Sequence, residues 1–281
     1  MNLNSVQSAK HLYHQFTSFV QDEIGVQLGE SKRTMVESRL RHRMAQLGHA
    51  TLDSYLHYLF EENALAEERA AIFDAVTTNK TDFFREPAHF NHLMNVALPE
   101  AVERKRLEGQ SVKLWSAAAS SGAEAWTIAF CAATWAATHR EFRWSIVGTD
   151  INREVLDLAR MAIYRDALLE PVPQNMREAF LMRGTGRLEG QSRVIPSLRR
   201  HVRFHQMNLL DDSLPLDRDV DVAFLRNVLI YFSPADQTRV IRSVTRHISL
   251  GGYLYLGHSE SMMMRDPQLE QTAPAIFRKI G

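Results

Sequence analysis

The sequence predicts an α/β protein with a doubly wound parallel sheet, an all-helical N-terminal domain and a small antiparallel β insertion. An apolar run from Val112 breaks into small residues around Gly122 and resumes with helical spacing, which indicates a strand, a tight loop and a helix. A second apolar run ends at Asp150 and completes a β-α-β unit. The earlier part of the chain shows only helical periodicity, so we predict a helical domain at 1–88 and an α/β domain at 89–281.

The composition is typical of a globular protein without net charge. Lys plus Arg and Asp plus Glu both number 33 among 281 residues, so no overall field attracts the chain to nucleic acid or to a membrane. The single cysteine, Cys131, cannot form an internal disulfide. No run approaches the ~20 apolar residues of a membrane span, and no signal-peptide pattern is present, so we expect a cytoplasmic protein.

The predicted β-α-β unit contains a candidate nucleoside pocket. The loop at Gly122 and the acid at Asp150 should both lie at the carboxyl edge of the sheet, where open α/β folds bind ligands. Small loop residues let a ligand approach the backbone, and Asp150 can accept hydrogen bonds from a ribose diol. A close-packed crossover without a ligand is the alternative. Because the loop lacks G-x-G-x-x-G, the pattern favours a Rossmann-like methyltransferase that binds S-adenosylmethionine over a dinucleotide enzyme.

A basic helix is predicted at 31–47, with Ser31 as its cap. Five basic residues face one acid, Glu37, in its first part: Lys32, Arg33, Arg39, Arg41 and Arg43. A solvated helix face is the commoner explanation of such a run. The alternative is a docking surface for an acidic helical partner, with Arg33, Arg39 and Arg43 as its contacts.

A polar segment at 77–87 joins the two predicted domains, which is where a lid over a cofactor would lie. Residues in such a linker are usually solvated caps. If the segment is a lid, Phe83 or Phe84 can face a sulfonium and Arg85 can face a carboxylate.

Short strand patterns and Gly turns after a predicted helix at 151–164 indicate an antiparallel insertion at about 178–204. Its strands are predicted at 180–183, 192–195 and 201–204. The exposed edge of this insertion can accept an extended peptide as an added strand. A hairpin without a binding role is the alternative.

Two later predicted strands end on asparagine, again at the carboxyl edge. Asn208 can hydrogen-bond an adenine edge, and Asn227 can hold the amino-acid part of a cofactor. The run of His258, Ser259 and Glu260 contains hydrolase residue types, but it has no G-x-S-x-G elbow, and three neighbours on one strand end cannot form a triad. We interpret this run as local hydrogen bonding near the pocket.

Several motifs occur in order along the chain. They are Thr77-Thr78-Asn79 with Thr81 and Phe83-Phe84-Arg85-Glu86, then Trp115 to Ser120 with Gly122 and Glu124, Gly148-Thr149-Asp150-Ile151, Asn208-Leu209-Leu210, Arg226 to Phe232, and Gly257-His258-Ser259-Glu260. Together they resemble the chemotaxis receptor methyltransferase family, the CheR proteins, over essentially the full chain. The resemblance implies that S-adenosylmethionine contacts Asn79, Thr81, Arg85, Glu124, Asp150, Asn208, Leu209, Asn227 and Val228. Ala123 departs from the family, which commonly has the first of two adjacent acids there.

The resemblance also implies the substrate and partners. It implies methyl ester formation on glutamate side chains, deamidated glutamines among them, in the coiled-coil cytoplasmic region of methyl-accepting chemotaxis receptors. The insertion resembles that of members that tether to a receptor's C-terminal pentapeptide, with Gly184, Gly186 and Arg193 as expected contacts. A receptor-docking module without turnover is the alternative, and zero net charge argues against a nucleic-acid methyltransferase.

The chemistry of such a transfer needs little from the protein beyond positioning. A glutamate carboxyl group, with an ordinary pKa near ~4.3, is already ionised at neutral pH and requires no general base. Arg85 or a neighbouring arginine is therefore expected to orient the incoming carboxylate, and Tyr231 is expected to line the path of the methyl group. We expect no metal ion, and we expect a monomer.

Overall fold

The computed structural model describes residues 3–106, 110–139, 141–263 and 266–281. Its internal contacts divide the chain into two compact units. The first unit extends to Thr78 and also includes Tyr231–Gln237. The second unit contains Asn79–Ile230 and Thr238–Gly281.

The first unit is all-helical, as the sequence predicts. Its helices are α1 (Leu3–Ile24), α2 (Arg33–Gln46), α3 (Leu52–Glu61) and α4 (Leu65–Val76). Apolar side chains at helical spacing form its core, and Phe16, Leu40 and Leu56 are fully buried. Thr51 caps α3 because its side chain accepts a hydrogen bond from the Ser54 N–H (3.2 Å).

The start of α2 differs from the prediction. Ser31 lies in a 3₁₀ turn, Glu30–Lys32, and α2 begins only at Arg33, with Lys32 in the capping position and no side-chain cap. The predicted cap at Ser31 is therefore wrong. The turn takes the place of the first helical residues, a common arrangement at helix ends.

The second unit contains a seven-stranded main sheet and a three-stranded small sheet. The strands are β1 (Val112–Ala117), β2 (Trp144–Asp150), β3 (Ile163–Arg165), β4 (Leu181–Arg183), β5 (Gln191–Val194), β6 (Val202–Gln206), β7 (Val220–Leu225), β8 (Ile248–Leu256), β9 (Leu269–Ala273) and β10 (Ile276–Lys279). The remaining helices are α5 (Pro87–His92), α6 (Leu98–Arg106), α7 (Ala123–Ala136), α8 (Arg153–Met161), α9 (Gln174–Phe180), α10 (Pro196–Arg199) and α11 (Pro234–His247). A π-helical turn, Leu93–Ala97, joins α5 to α6.

The main sheet has the order β6-β2-β1-β7-β8-β10-β9. Its first five strands are parallel, whereas β10 and β9 extend the sheet in antiparallel fashion. Strand β7 is buried along its whole length, as expected for a central parallel strand covered on both faces. The strand order reverses at β1, so the ligand crevice of this doubly wound sheet is expected where β1 and β7 end. The predicted fold class is confirmed.

The small sheet corrects two details of the predicted insertion. Its order is β3-β5-β4, so its third strand comes from residues 163–165, inside the predicted helix at 151–164. Helix α8 ends early because Ala162 adopts a left-handed conformation (φ 53°). The segment predicted as an insertion strand at 201–204 instead belongs to β6, which pairs with β2 in the main sheet.

Among the helices that the structure describes, none combines the length and the apolar character needed to cross a lipid bilayer.

Candidate functional site

The candidate site lies at the carboxyl edge of the main sheet. Strands β1, β2, β6, β7 and β8 are parallel, so their carboxyl ends meet at one edge. Five of the six motif segments named above lie at or directly after these strand ends, and the sixth, at 77–86, precedes α5.

The loop after β1 is held in an unusual backbone conformation. Ala118 and Ser120 have positive φ angles of 63° and 50°, and Gly122 has a φ of 90°. A side chain at Gly122 would place its Cβ 2.8 Å from the Cβ of Ala159 on α8, so only glycine fits. Gly122 therefore serves the close packing of the loop against α8, and the open approach for a ligand stays a prediction.

Asp150 is fixed by the backbone around it. Its Oδ2 accepts a hydrogen bond from the Ser120 N–H (2.8 Å), and its Oδ1 accepts one from the Asn152 N–H (3.0 Å). Burial raises the pKa of the Asp150 carboxyl, and these backbone bonds oppose the rise. Each carboxylate oxygen has two lone pairs, so Asp150 retains acceptor capacity for a diol.

Arg226, the residue after β7, is the centre of a charged network. One of its terminal nitrogens, Nη1, lies 3.0 Å from Glu124 Oε2, and the other, Nη2, lies 3.1 Å from Glu86 Oε2. Nη2 also donates to the carbonyl oxygen of Arg85. Ser116 Oγ donates to Glu124 Oε1 (2.7 Å), so both oxygens of that carboxylate are bound. The sequence prediction missed this role of Arg226, and its only signal was an arginine directly after an apolar strand.

The pKa values of the two acids around Arg226 are shifted in opposite directions. Burial raises the pKa of Glu124, and Arg226 opposes the rise. Burial also acts against ionisation of Glu86, but Arg226 and His258 outweigh it and the pKa of Glu86 is lowered. The site therefore combines one buried acid that resists ionisation with one that favours it.

The segment before α5 reaches the site through its backbone. The Asn79 carbonyl accepts a hydrogen bond from Ser120 Oγ (2.8 Å), which brings Asn79 to the loop after β1. Thr81 and Arg85 are both partly buried. Phe83 is buried and stacks on Phe130 with ring centroids 6.1 Å apart, so it is a core residue. Of the two aromatic residues predicted to face a sulfonium, the partly buried Phe84 keeps that prediction.

The predicted asparagines follow their strands as expected. The Met207 N–H donates to the Asp150 carbonyl (2.9 Å), so Asn208 and Leu209 begin next to the end of β2. Asn227 and Val228 follow Arg226 directly, and both are partly exposed. The hydrogen-bonding groups at this edge, namely carboxylates, amides and backbone groups, fit a ligand with a ribose, an adenine and an amino-acid part.

Tyr231 falls in the first unit, where its carbonyl oxygen accepts a hydrogen bond from the Gln27 N–H (3.2 Å). It ends the 3₁₀ turn Leu229–Tyr231 and is partly buried. Its role in lining the path of the methyl group stays a prediction.

Glu86, His89 and His258 form the one group of potential metal ligands found in the described part of the chain. Their ligand atoms lie within 4.8 Å of one another. Glu86 Oε2 is 2.9 Å from His258 Nδ1 and 3.4 Å from His89 Nδ1, but Arg226 also contacts that oxygen. A guanidinium that already neutralises the carboxylate competes with a metal cation there, so we interpret Glu86, His258 and Arg226 as an ion-paired network. His89 packs beside this network, and neither of its buried ring nitrogens has a hydrogen-bond partner among the described residues.

The predicted docking arginines all have partners within the first unit. Arg43 Nε donates to Glu68 Oε2 (2.8 Å), and the buried Glu68 also accepts from Tyr55. Arg39 Nη1 donates to the Val76 carbonyl (2.7 Å) and thereby caps α4. Arg33 forms an ion pair with Asp53 and lies over the ring of Tyr13. These arginines therefore stabilise the helical unit, whatever else they contact.

The predicted peptide contacts lie in or beside the small sheet. Gly184 follows β4 and packs so closely that a Cβ would lie 2.1 Å from the Leu188 carbonyl oxygen, and Gly186 has a positive φ of 59°. Arg193 is on β5, and its Nε donates to the Met161 carbonyl (3.0 Å). Strand β4 pairs only with β5 and so forms an edge of this sheet.

The fold and the edge site together define the class of S-adenosylmethionine-dependent methyltransferases. Comparisons with known proteins give the family. A family model described as "CheR methyltransferase, SAM binding domain" matches residues 79–276, and one described as "CheR methyltransferase, all-alpha domain" matches residues 11–77. The chain therefore belongs to the CheR methyltransferase family, and S-adenosylmethionine is its cofactor.

Relatives from several bacteria agree with this assignment. The chemotaxis protein methyltransferase of Escherichia coli strain K12 is 34% identical over 249 residues, which cover 89% of this chain and 84% of that protein. The chemotaxis protein methyltransferase of Borreliella burgdorferi is 30% identical over 280 residues, covering 99% and 97%. Chemotaxis protein methyltransferase 2 of Pseudomonas aeruginosa is 36% identical, covering 85% and 82%.

Proposed function

We propose that this protein transfers the methyl group of S-adenosylmethionine to glutamate side chains of methyl-accepting chemotaxis receptors, and so serves adaptation in chemotaxis. The observation that carries the proposal is the ordered edge site, in which Arg226 joins Glu124, Glu86 and the Arg85 backbone within a chain that matches both halves of the CheR family. Chemoreceptors are the substrates in general. That glutamate side chains are the methyl acceptors is the more specific part of this proposal.

The cofactor is held by residues from five segments of the second unit. Asp150 accepts from the ribose, Asn208 and Leu209 border the adenine, and Asn227, Val228 and Glu124 hold the amino-acid part. Asn79, Thr81 and Arg85 contact the cofactor from the segment before α5. The hydrogen bonds that order the edge support this assignment, because Ser120 connects Asn79 to the loop near Asp150, and Arg226 connects Glu124 to the Arg85 backbone.

The protein's contribution to the reaction is positioning and exclusion of water. The bound cofactor supplies a sulfonium methyl carbon, to which a carboxylate oxygen bonds as the carbon–sulfur bond breaks with its electron pair left on sulfur. Opposite charges are neutralised in this step, so a dry site favours it. Arg85 orients the incoming carboxylate and Tyr231 borders the path of the methyl group.

Receptor recognition is assigned to two other surfaces. Helix α2 presents basic residues to the acidic receptor surface, with Arg33, Arg39 and Arg43 as contacts and the exposed Arg41 beside them. The small sheet takes a receptor's C-terminal pentapeptide as an added strand, with Gly184, Gly186 and Arg193 as contacts. The open edge of β4 supports this mode of binding. We further propose that the protein acts as a cytoplasmic monomer.

The first test is methyl transfer to purified receptor cytoplasmic fragments from radiolabelled S-adenosylmethionine. The label should enter the receptor and be released as methanol in mild alkali, because methyl esters hydrolyse there and methylamines do not. A receptor fragment with the methylated glutamates changed to alanine should take up no label. Alkali-stable label would contradict the ester, and binding of S-adenosylhomocysteine without any label transfer would favour an inert docking module.

The pentapeptide proposal is tested separately by calorimetric titration with a peptide that carries a receptor C-terminus. Arg193→Gln should weaken peptide binding at least tenfold while the affinity for S-adenosylhomocysteine stays unchanged. Arg200→Gln, an exposed arginine outside the small sheet, is the matched control and should leave both affinities unchanged. Equal peptide affinity in the wild type and in Arg193→Gln would remove Arg193 from the peptide site.

A further inference from the structure

Glu260, at the end of the turn after β8, has every carboxylate oxygen bound to backbone. The side chain is fully buried. Its Oε2 accepts hydrogen bonds from the N–H groups of Asn227 (2.7 Å) and Gly257 (2.8 Å), and its Oε1 accepts one from the Leu229 N–H (2.8 Å). One carboxylate thus joins the loop after β7 to the turn after β8.

The loop after β7 has a conformation that these contacts help to hold. Asn227 has a φ of 59°, in the left-handed region, which is uncommon for residues with a Cβ although asparagine adopts it more readily than most. Gly257 permits the close approach of the two segments, because a Cβ there would lie 2.6 Å from Glu260 Oε2 and 2.7 Å from Asn227 Nδ2. The backbone of the turn closes on itself as well, with the Glu260 N–H donating to the Gly257 carbonyl (2.9 Å).

We propose that Glu260 is a positioning residue for the cofactor. It holds Asn227 and Val228 in the conformation in which they contact S-adenosylmethionine, before the cofactor binds. The inference rests on the proposed function and gives a role to the acid of the Gly257 to Glu260 turn, which that function does not use. Glu260 itself touches neither cofactor nor receptor in this role, because its side chain is fully buried and both of its oxygens already accept from backbone N–H groups.

The role requires a carboxylate and not merely a side chain of that shape. Both oxygens accept from N–H groups, and an ionised carboxylate presents acceptors only. Glutamine at position 260 would place an NH₂ donor against at least one backbone N–H in a buried site, where such a mismatch is unfavourable. The loop would then relax away from the left-handed Asn227 conformation.

Glu260→Gln tests the inference by calorimetric titration with S-adenosylhomocysteine and by methylation kinetics. The affinity for S-adenosylhomocysteine should fall at least tenfold and KM for S-adenosylmethionine should rise, while KM for the receptor fragment stays within twofold. Glu270→Gln, the same change at an exposed site on β9, is the matched control and should leave all three values unchanged. Partial unfolding would lower the active fraction and kcat without raising KM, so it is distinguished from a positioning effect. An affinity within twofold of wild type would overturn the inference.

The wild-type protein carries the test if Glu260→Gln does not fold. Amide hydrogen exchange of the cofactor-free protein should show protection at Asn227, Leu229 and Gly257, because their N–H groups are already bound. Fast exchange that slows only after S-adenosylhomocysteine is added would overturn the inference. Failure of the proposed function is separate, because it would appear as absent binding or absent methyl transfer in the wild type and in Glu270→Gln.

Discussion

Strand β7 has a buried charge cluster at each end, and the two clusters are built differently. At its amino end the fully buried Asp221 accepts a hydrogen bond from the Lys113 N–H (3.0 Å), while Arg104 Nη2 is 3.5 Å from its Oδ1. At its carboxyl end Arg226 lies at hydrogen-bonding distance from both Glu86 and Glu124. The two residues are roughly 16 Å apart at ~3.3 Å per strand residue.

The charges around Asp221 only neutralise one another, whereas the charges around Arg226 also hold segments of the site in place. Burial raises the pKa of Asp221, and its arginine partner is too distant for a hydrogen bond, so this cluster only limits the cost of a buried acid. The guanidinium of Arg226 instead binds two carboxylates and a carbonyl oxygen, which fixes three segments of the site in one geometry. We therefore expect damage at the amino end to reduce stability alone, and damage at the carboxyl end to reduce stability and cofactor binding together.

The largest effect is expected for Arg226→Met. This change leaves Glu124 buried without its cation, so the free energy of unfolding in urea should fall by about 3–5 kcal/mol. The affinity for S-adenosylhomocysteine, measured by calorimetry in the remaining folded protein, should fall at least tenfold because the segments lose their common partner. Arg239→Met breaks an exposed ion pair with Asp212 and should cost at most about 1 kcal/mol with no change in affinity. Comparable losses of stability and affinity in Arg226→Met and Arg239→Met would contradict the proposed difference between the two ends of β7.

The stability of the protein should depend on pH through His89, which lies beside the carboxyl-end cluster. Burial lowers the pKa of His89 from 6.5 to about 4, so the unfolded chain takes up this proton at a higher pH than the folded protein does. Stability should therefore fall as the pH falls from 6.5 to about 4, by about 3 kcal/mol in total from this group. His89→Gln should lack this part of the pH dependence in denaturant titrations, whereas His14→Gln, at an exposed histidine, should retain it. Identical pH profiles for wild type and His89→Gln would show that His89 is not held neutral.

The smallest of these effects is expected for Asp221→Asn at the amino end. An amide cannot neutralise Arg104, and it offers one acceptor oxygen where the carboxylate offers two, so stability should fall by about 1–3 kcal/mol. The affinity for S-adenosylhomocysteine should stay within twofold of wild type, because Asp221 lies at the end of β7 opposite the edge site. Asp212→Asn, on the surface, is the control for the loss of one acid. A tenfold loss of affinity in Asp221→Asn would remove the distinction between the two ends.

Much of the fold could be predicted because its signals are local. The apolar runs that end at Ala117 and Asp150 are strands β1 and β2, and both predicted asparagines follow strands at the same sheet edge. The helical periodicity of the N-terminal domain is also a local property, and this part of the chain forms helices α1 to α4. Asp150, Asn208 and Asn227 were predicted from their positions at strand ends, whereas the full set of cofactor contacts came from the resemblance to the CheR family, and their individual roles stay predictions.

The tertiary structure decided which residues meet. Whether residues 202–204 extend the insertion or the main sheet depends on pairing with β2, more than fifty residues earlier, and a strand pattern carries no information about its partner. Phe83 has the same local pattern as a lid residue, yet the core beneath it buries its ring. Arg226 contacts Glu86 and Glu124, which are 140 and 102 residues away in the chain. The sequence by itself thus determined the elements and their polar ends, and only the packing of distant segments determined the charge network that orders the site.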